Sequence, residues 1–153
     1  MRHTLKITSL KRDIRHRFGK KAKAICFGIT EINLRKTRGE NISFVLQHYS
    51  TTDFSYEIFF ESFISFQVRD NMLTQEEDIG SVKFNEQYDG IIIHQIVDGI
   101  YLNLLKTDST LELDNNIGGL GNKEILQFSI YEQNLVVDIL TQFPPSIILI
   151  DSR

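Results

Sequence analysis

The sequence predicts an α+β domain made mainly of antiparallel strands, with one or two short helices. Three observations carry that expectation. From Ala24 onward the apolar residues recur with a period of two, the spacing of strands with one face inward. Turn-forming clusters, among them Asp89-Gly90 and Asp98-Gly99, punctuate these runs at short intervals. Ala22 and Ala24 are the only alanines, against 11 Phe, 5 Tyr and no Trp, a composition that favours sheets over helices and a core of phenyl rings. A chain of 153 residues fits one domain, residues 1–153, with a basic N-terminal segment (1–23) and a strand-rich body (24–153).

Within the N-terminal segment, Leu10, Ile14, Phe18 and Ala22 recur every fourth residue among lysines and arginines, which predicts a basic amphipathic helix inside 9–23. Ser9 is placed to cap it, and Asp13 lies early, where the helix dipole favours negative charge. The next elements are a strand through Ile25, Phe27 and Ile29, shifting register near Thr30-Glu31 before Ile32 and Leu34, and its hairpin partner through Ile42, Phe44, Leu46 and His48. Phe54 to Val68 reads as two strands, or as one bent strand with a bulge around Glu61-Ser62. Arg69 to Gly80 reads as a polar surface loop or one turn of helix, followed by a short strand through Val82, Phe84 and Glu86.

The two Asp-Gly pairs predict tight turns flanking a strand at 91–97. Residues 99–106 fit either a partner strand or a short helix, since Ile100/Leu104 and Tyr101/Leu105 share a spacing of four; the paired turns favour the strand. Residues 107–122 read as a loop. The closing stretch predicts two paired strands, around Phe128/Ile130 and Leu135/Val137/Ile139, with one buried and one wet face about a Glu132-Gln133-Asn134 turn. Pro144-Pro145 then separates them from a last apolar run, Ile147 to Ile150.

Charge is divided unevenly. Residues 1–38 carry 12 Lys/Arg against Asp13 and Glu31, and residues 39–153 carry 5 against 18 Asp/Glu, so a net charge of −3 conceals segments of +10 and −13. Either the segments neutralise each other or one of them meets a charged partner. The basic set is Lys11, Arg12, Arg15, Arg17, Lys20, Lys21 and Lys23, suited to phosphates. The acidic set is Glu76, Glu77, Asp78, Glu86, Asp89, Asp108, Glu112 and Asp114, with Asp98 nearby; on one sheet edge these loops would attract a basic protein partner.

Catalytic and metal patterns are weak. Gly118-Gly119-x-Gly121 lacks the Lys-Ser/Thr of a P-loop and the dinucleotide spacing, so it reads as a flexible loop. His3, His16, His48 and His94 show no zinc-type pairing with each other or with Cys26, and no metal or cofactor is expected. His48 and His94 read as polar strand positions facing water. Cys26, lacking an elbow to expose it, reads as a half-buried thiol rather than a nucleophile. The carboxylates fall in polar loops, which argues against acid–base catalysis. A lone cysteine and the lack of any apolar run near the ~20 residues of a membrane span point to a cytoplasmic protein.

Two stretches, Phe63-Ile64-Ser65-Phe66-Gln67-Val68-Arg69-Asp70-Asn71 and Phe128-Ser129-Ile130-Tyr131 through Val137-Asp138-Ile139 to Pro144-Pro145-Ser146-Ile147, resemble small stand-alone bacterial immunity proteins of toxin systems. About half the chain is covered. Asn71 stands where that pattern has Glu, Gln127-Phe128 where it has His-Tyr, and the basic N-terminal third lies outside it. The resemblance implies a non-enzymatic, strand-rich inhibitor that covers a toxin, such as a nuclease with a basic cleft, through its acidic loops. A nucleic-acid-binding protein using the basic segment is the alternative.

Overall fold

The computed structural model describes residues 1–35, 40–70, 83–107 and 124–153. Among these residues, ten strands form two five-stranded sheets. The strands are β1 (Arg2–Leu5), β2 (Phe27–Arg35), β3 (Asn41–His48), β4 (Phe54–Phe60), β5 (Ser65–Asp70), β6 (Lys83–Asp89), β7 (Ile93–Val97), β8 (Leu126–Tyr131), β9 (Leu135–Thr141) and β10 (Ser146–Asp151). Sheet 1 has the order β1-β10-β4-β3-β2 and sheet 2 the order β5-β9-β8-β7-β6. Every neighbouring pair is antiparallel. Helix α1 (Ile7–Phe18) packs against β6 and β10, so it bridges the two sheets, and helix α2 (Ile100–Thr107) meets β8.

Period-two alternation places one set of side chains from each sheet in a shared core. Ile42, Phe44 and Leu46 of β3 and Tyr56, Ile58 and Phe60 of β4 come from sheet 1; Phe128, Ile130, Val137 and Ile139 come from sheet 2. Phenyl rings join the two halves, with Phe60 edge-on to Phe44 and to Phe128. The chain crosses between sheets after Phe60 and again after Thr141. The Thr141 hydroxyl ties the crossings together by donating to the Ser62 carbonyl at 2.8 Å.

Much of the predicted order stands. The β2–β3 hairpin shifts register between Ile29 and Glu31. Phe54–Val68 does divide near Glu61-Ser62, but into strands of different sheets. The Glu132 carboxylate holds the β8–β9 turn, accepting from the amides of Asn134 (2.6 Å) and Leu135.

Four expectations are corrected. The first helix starts at Ile7 and ends at Phe18, because Gly19 takes φ 98°, a left-handed value that stops it. Ser9 therefore lies inside the helix, and Asp13 sits mid-helix. Residues 100–107 are helical. Asp98 (φ 55°) turns the chain into α2 instead of into a hairpin, and the spacing of four prevails. Among the α2 side chains described, Leu102 is buried, while Ile100 and Leu104 stay exposed.

The β8–β9 pair is buried on both faces, not one: Gln127, Ser129, Tyr131, Val136, Asp138 and Leu140 all point away from the core and are all buried. Gln127 receives the Leu102 amide of α2 (3.1 Å), and Gln67 and Arg69 lie across Asp138. Finally, His48 and His94 do not face water. His48 is buried against Phe18, its ring stacked at 4.4 Å, and His94 packs against Phe84 and Tyr131.

Strand β1 had no counterpart in the sequence reading. Four residues, three of them exposed, give alternation too little length to register, and only pairing with β10 defines them.

Candidate functional site

Helix α1 presents three surfaces, each set by its 3.6-residue period. Ile7, Leu10 and Ile14 form the buried stripe. On one flank Asp13 and Arg17 pair at 3.0 Å, Asp13 also accepts a 2.6 Å bond from the Tyr56 hydroxyl, and Arg17 lies 4.6 Å over the Phe54 ring. That flank is anchored to sheet 1. The other flank carries Thr8, Lys11, Arg12, Arg15 and His16, and Lys20 beyond the helix end joins them. Together these six residues line a shallow depression of about 840 Å³.

Among the described residues, no carboxylate lines the depression. Lys11 is anchored at its margin by a 2.8 Å ion pair with Asp89. Arg12, Arg15 and Lys20 are exposed and have no acidic partner among the described residues. Like charges so close repel one another, and a bound polyanion relieves that repulsion while releasing its own counterions.

Of the seven basic residues singled out in the sequence, the structure brings Lys11, Arg12, Arg15 and Lys20 together. Arg17 is on the opposite flank, held by Asp13, and Lys21 and Lys23 do not line the depression. Thr8 and His16 were missed, although Thr8, Arg12, His16 and Lys20 recur every fourth residue and so share one side of a helix.

Six of the eight acidic residues, Glu76, Glu77, Asp78, Asp108, Glu112 and Asp114, lie outside the described residues, as does Gly118–Gly121. Glu86 is exposed on β6. Asp89 is occupied internally. Burial pushes its carboxyl up, but the Lys11 ammonium, the Ile91 amide (3.1 Å) and nearby His94 outweigh this and hold it below the usual value. His94 Nδ1 lies 3.2 Å from Asp89 Oδ1, out of line for a hydrogen bond, while Nε2 lies 3.1 Å from the Ile91 carbonyl. Burial lowers the His94 pKa, and Asp89 only partly offsets that.

The histidines and the cysteine form no catalytic set among the described residues. His48 Nδ1 accepts from the Ser50 amide (3.1 Å) and faces the Ser50 hydroxyl (2.7 Å); burial lowers its pKa. Cys26 and His48 border a common small cavity of about 260 Å³, but no hydrogen bond joins them. His94 belongs to the other sheet. No group of three or more potential metal ligands occurs among the described residues, and none of their helices is long and apolar enough to cross a membrane.

Compared with protein-family models, with curated proteins and with solved structures, the chain matches none of them.

Proposed function

We propose that this protein is a non-catalytic binding protein whose recognition surface is the basic flank of α1, and that the phosphate backbone of a nucleic acid is what it meets. The observation that carries the reading is the set Arg12, Arg15 and Lys20, exposed along one depression and, among the described residues, without acidic partners or a carboxylate in the lining. Arginine suits phosphate because its planar fork donates two parallel hydrogen bonds. Contacts of this kind carry little sequence information, so the expected binding is weakly selective and steeply salt-dependent.

The test is fluorescence anisotropy with labelled single- and double-stranded oligonucleotides over a range of salt. Arg12→Glu/Arg15→Glu/Lys20→Glu is expected to abolish binding. Arg12→Ala/Arg15→Ala is expected to flatten the plot of log affinity against log salt by roughly two phosphate contacts. Binding that neither variant alters would remove α1 as the surface.

A second reading, an immunity-type inhibitor that binds a toxin through acidic loops, is favoured by a separate observation. The two stretches that carry the resemblance form one unit: β5 pairs with β9, β9 with β8, and Arg69 of the first stretch grips Asp138 of the second at 2.6 Å. In that reading Glu86 is open to a partner, whereas Asp89 is already engaged by Lys11. Pull-down of the tagged chain, with and without nuclease, separates the two. A stoichiometric protein that survives nuclease supports the inhibitor, and nuclease-sensitive recovery supports the basic flank.

A further inference from the structure

Each sheet ends in two edge strands, and an uncovered edge invites another strand unless something blunts it. Strand β1 has four residues, and β6 loses register with its neighbour between Phe84 and Asp89. On β5, Gln67 and Arg69 are committed to Asp138. Strand β2 differs. It has nine residues, is paired only with β3 among the described strands, and turns Ile32 and Leu34 toward the core side of the sheet while leaving them 48% and 49% exposed.

Its first half is already covered: the Ile29 amide donates to Glu132 (3.1 Å), and the Phe27 carbonyl accepts from the Gln133 amide (2.8 Å). Those bonds fix which backbone groups face outward. Ile29 points away from β3, so its partner Leu46 points away from β2, and Val45 points toward it. Glu31, Asn33 and Arg35 therefore bond to β3, while Ile32 and Leu34 aim their amides and carbonyls at the open edge. The open stretch is 31–35, and its midpoint is Asn33.

An antiparallel strand centred on Asn33 would set residue 31 against residue 35 and residue 32 against residue 34. For a second copy of this chain, that register places Glu31 opposite Arg35 twice, and Ile32 opposite Leu34 twice. The segment is thus complementary to itself in charge and in apolar character about a two-fold axis. We propose that β2 is a homodimerisation edge, with two copies pairing antiparallel about Asn33 to join their first sheets into one of ten strands. None of the residues lining the α1 depression takes part, so this inference and the proposed function fail independently.

So short an interface is weak, with a dissociation constant on the order of 10–100 µM. Sedimentation velocity of the whole chain from about 1 to 500 µM, spanning that range, is expected to show a reversible monomer–dimer equilibrium. Leu34→Pro is expected to abolish it with the circular dichroism unchanged, because the lost amide faces the open edge and not β3. Glu31→Arg and Arg35→Glu, both exposed, are each expected to weaken the dimer roughly tenfold through like-charge pairs, and the double exchange to restore it. A chain that stays monomeric across the range overturns the proposal, including one that accepts only a foreign extended peptide. So does a dimer that resists Leu34→Pro, or one that the double exchange fails to rescue.

Discussion

Arg69 reaches diagonally from β5 to β9 to hold Asp138 with two bonds, Nε to Oδ2 at 2.6 Å and Nη2 to Oδ1 at 3.1 Å. Asp138 is 1% exposed and also accepts from Gln67 (2.8 Å) and the Ser129 hydroxyl (2.6 Å). A carboxylate so far from water is tolerated because its oxygens are occupied. Arg69→Met keeps the length of the side chain and removes the cation. It is expected to destabilise the fold by about 3 kcal/mol, read from urea unfolding. Arg69→Met/Asp138→Asn should recover part of that loss, since a neutral amide costs less to leave without a cation.

Tyr56 is fully buried, and its hydroxyl donates to Asp13. Burial first, and the neighbouring carboxylate second, push the phenol far above its usual pKa, so it remains a donor across the working pH range. Tyr56→Phe is expected to cost about 2 kcal/mol, because a hydrogen bond to an ionised acceptor is lost. Tyr56→Phe should change the midpoint of urea unfolding but not its slope.

Acid sensitivity should arise first from His94. Its folded pKa lies below the ordinary 6.5, so the unfolded chain takes up a proton more readily. The stability tied to the neutral ring is therefore complete above about pH 6.5 and declines as the pH falls below it. Asp89 is held low and titrates well beneath that window. Comparing wild type with His94→Gln in urea from pH 7.5 to 5, the gap in stability is expected to narrow on acidification. His48, lowered in the same direction, should leave the variant with some residual slope.

A Cβ on Gly99 would clash with Gln127 Oε1, the atom that receives the Leu102 amide. Gly99→Ala must displace that buried amide group and with it the seat of α2. A loss of about 2 kcal/mol is expected. Gln127→Ala in the same background makes room for the methyl group, so its added cost should be smaller than in wild type.

How much of this was legible beforehand depended on whether a local pattern or a distant neighbour decided the outcome. The β2–β3 hairpin and its bulge could be read because Ile42, Phe44, Leu46 and His48 alternate along β3, while the alternation in β2 changes phase at Thr30-Glu31. The helix at 100–107 was misread because Asp-Gly marks a turn without specifying whether a strand or a helix comes after it. Burial of Ser129 and Asp138 could not be read, since alternation suggests a wet face and it is side chains from a neighbouring strand, Gln67 and Arg69, that lie over Asp138. On the basic segment, charge density was visible but its division was not. Asp13 and Tyr56 draw Arg17 to one flank, leaving Arg12 and Arg15 on the other.

The position of β10 bears on how the chain acquires this structure. It lies between β1 and β4, with Ile150 beside Arg2 and Leu149 beside Tyr56, so sheet 1 cannot close until β10 has been made, long after β2, β3 and β4. Until then β2, β3 and β4 can zip only with one another within sheet 1, and the aromatic side of that meander, Phe44, Tyr56 and Phe60, stays uncovered until the strands of sheet 2 have followed. Such long-range closure slows folding and prolongs exposure to aggregation.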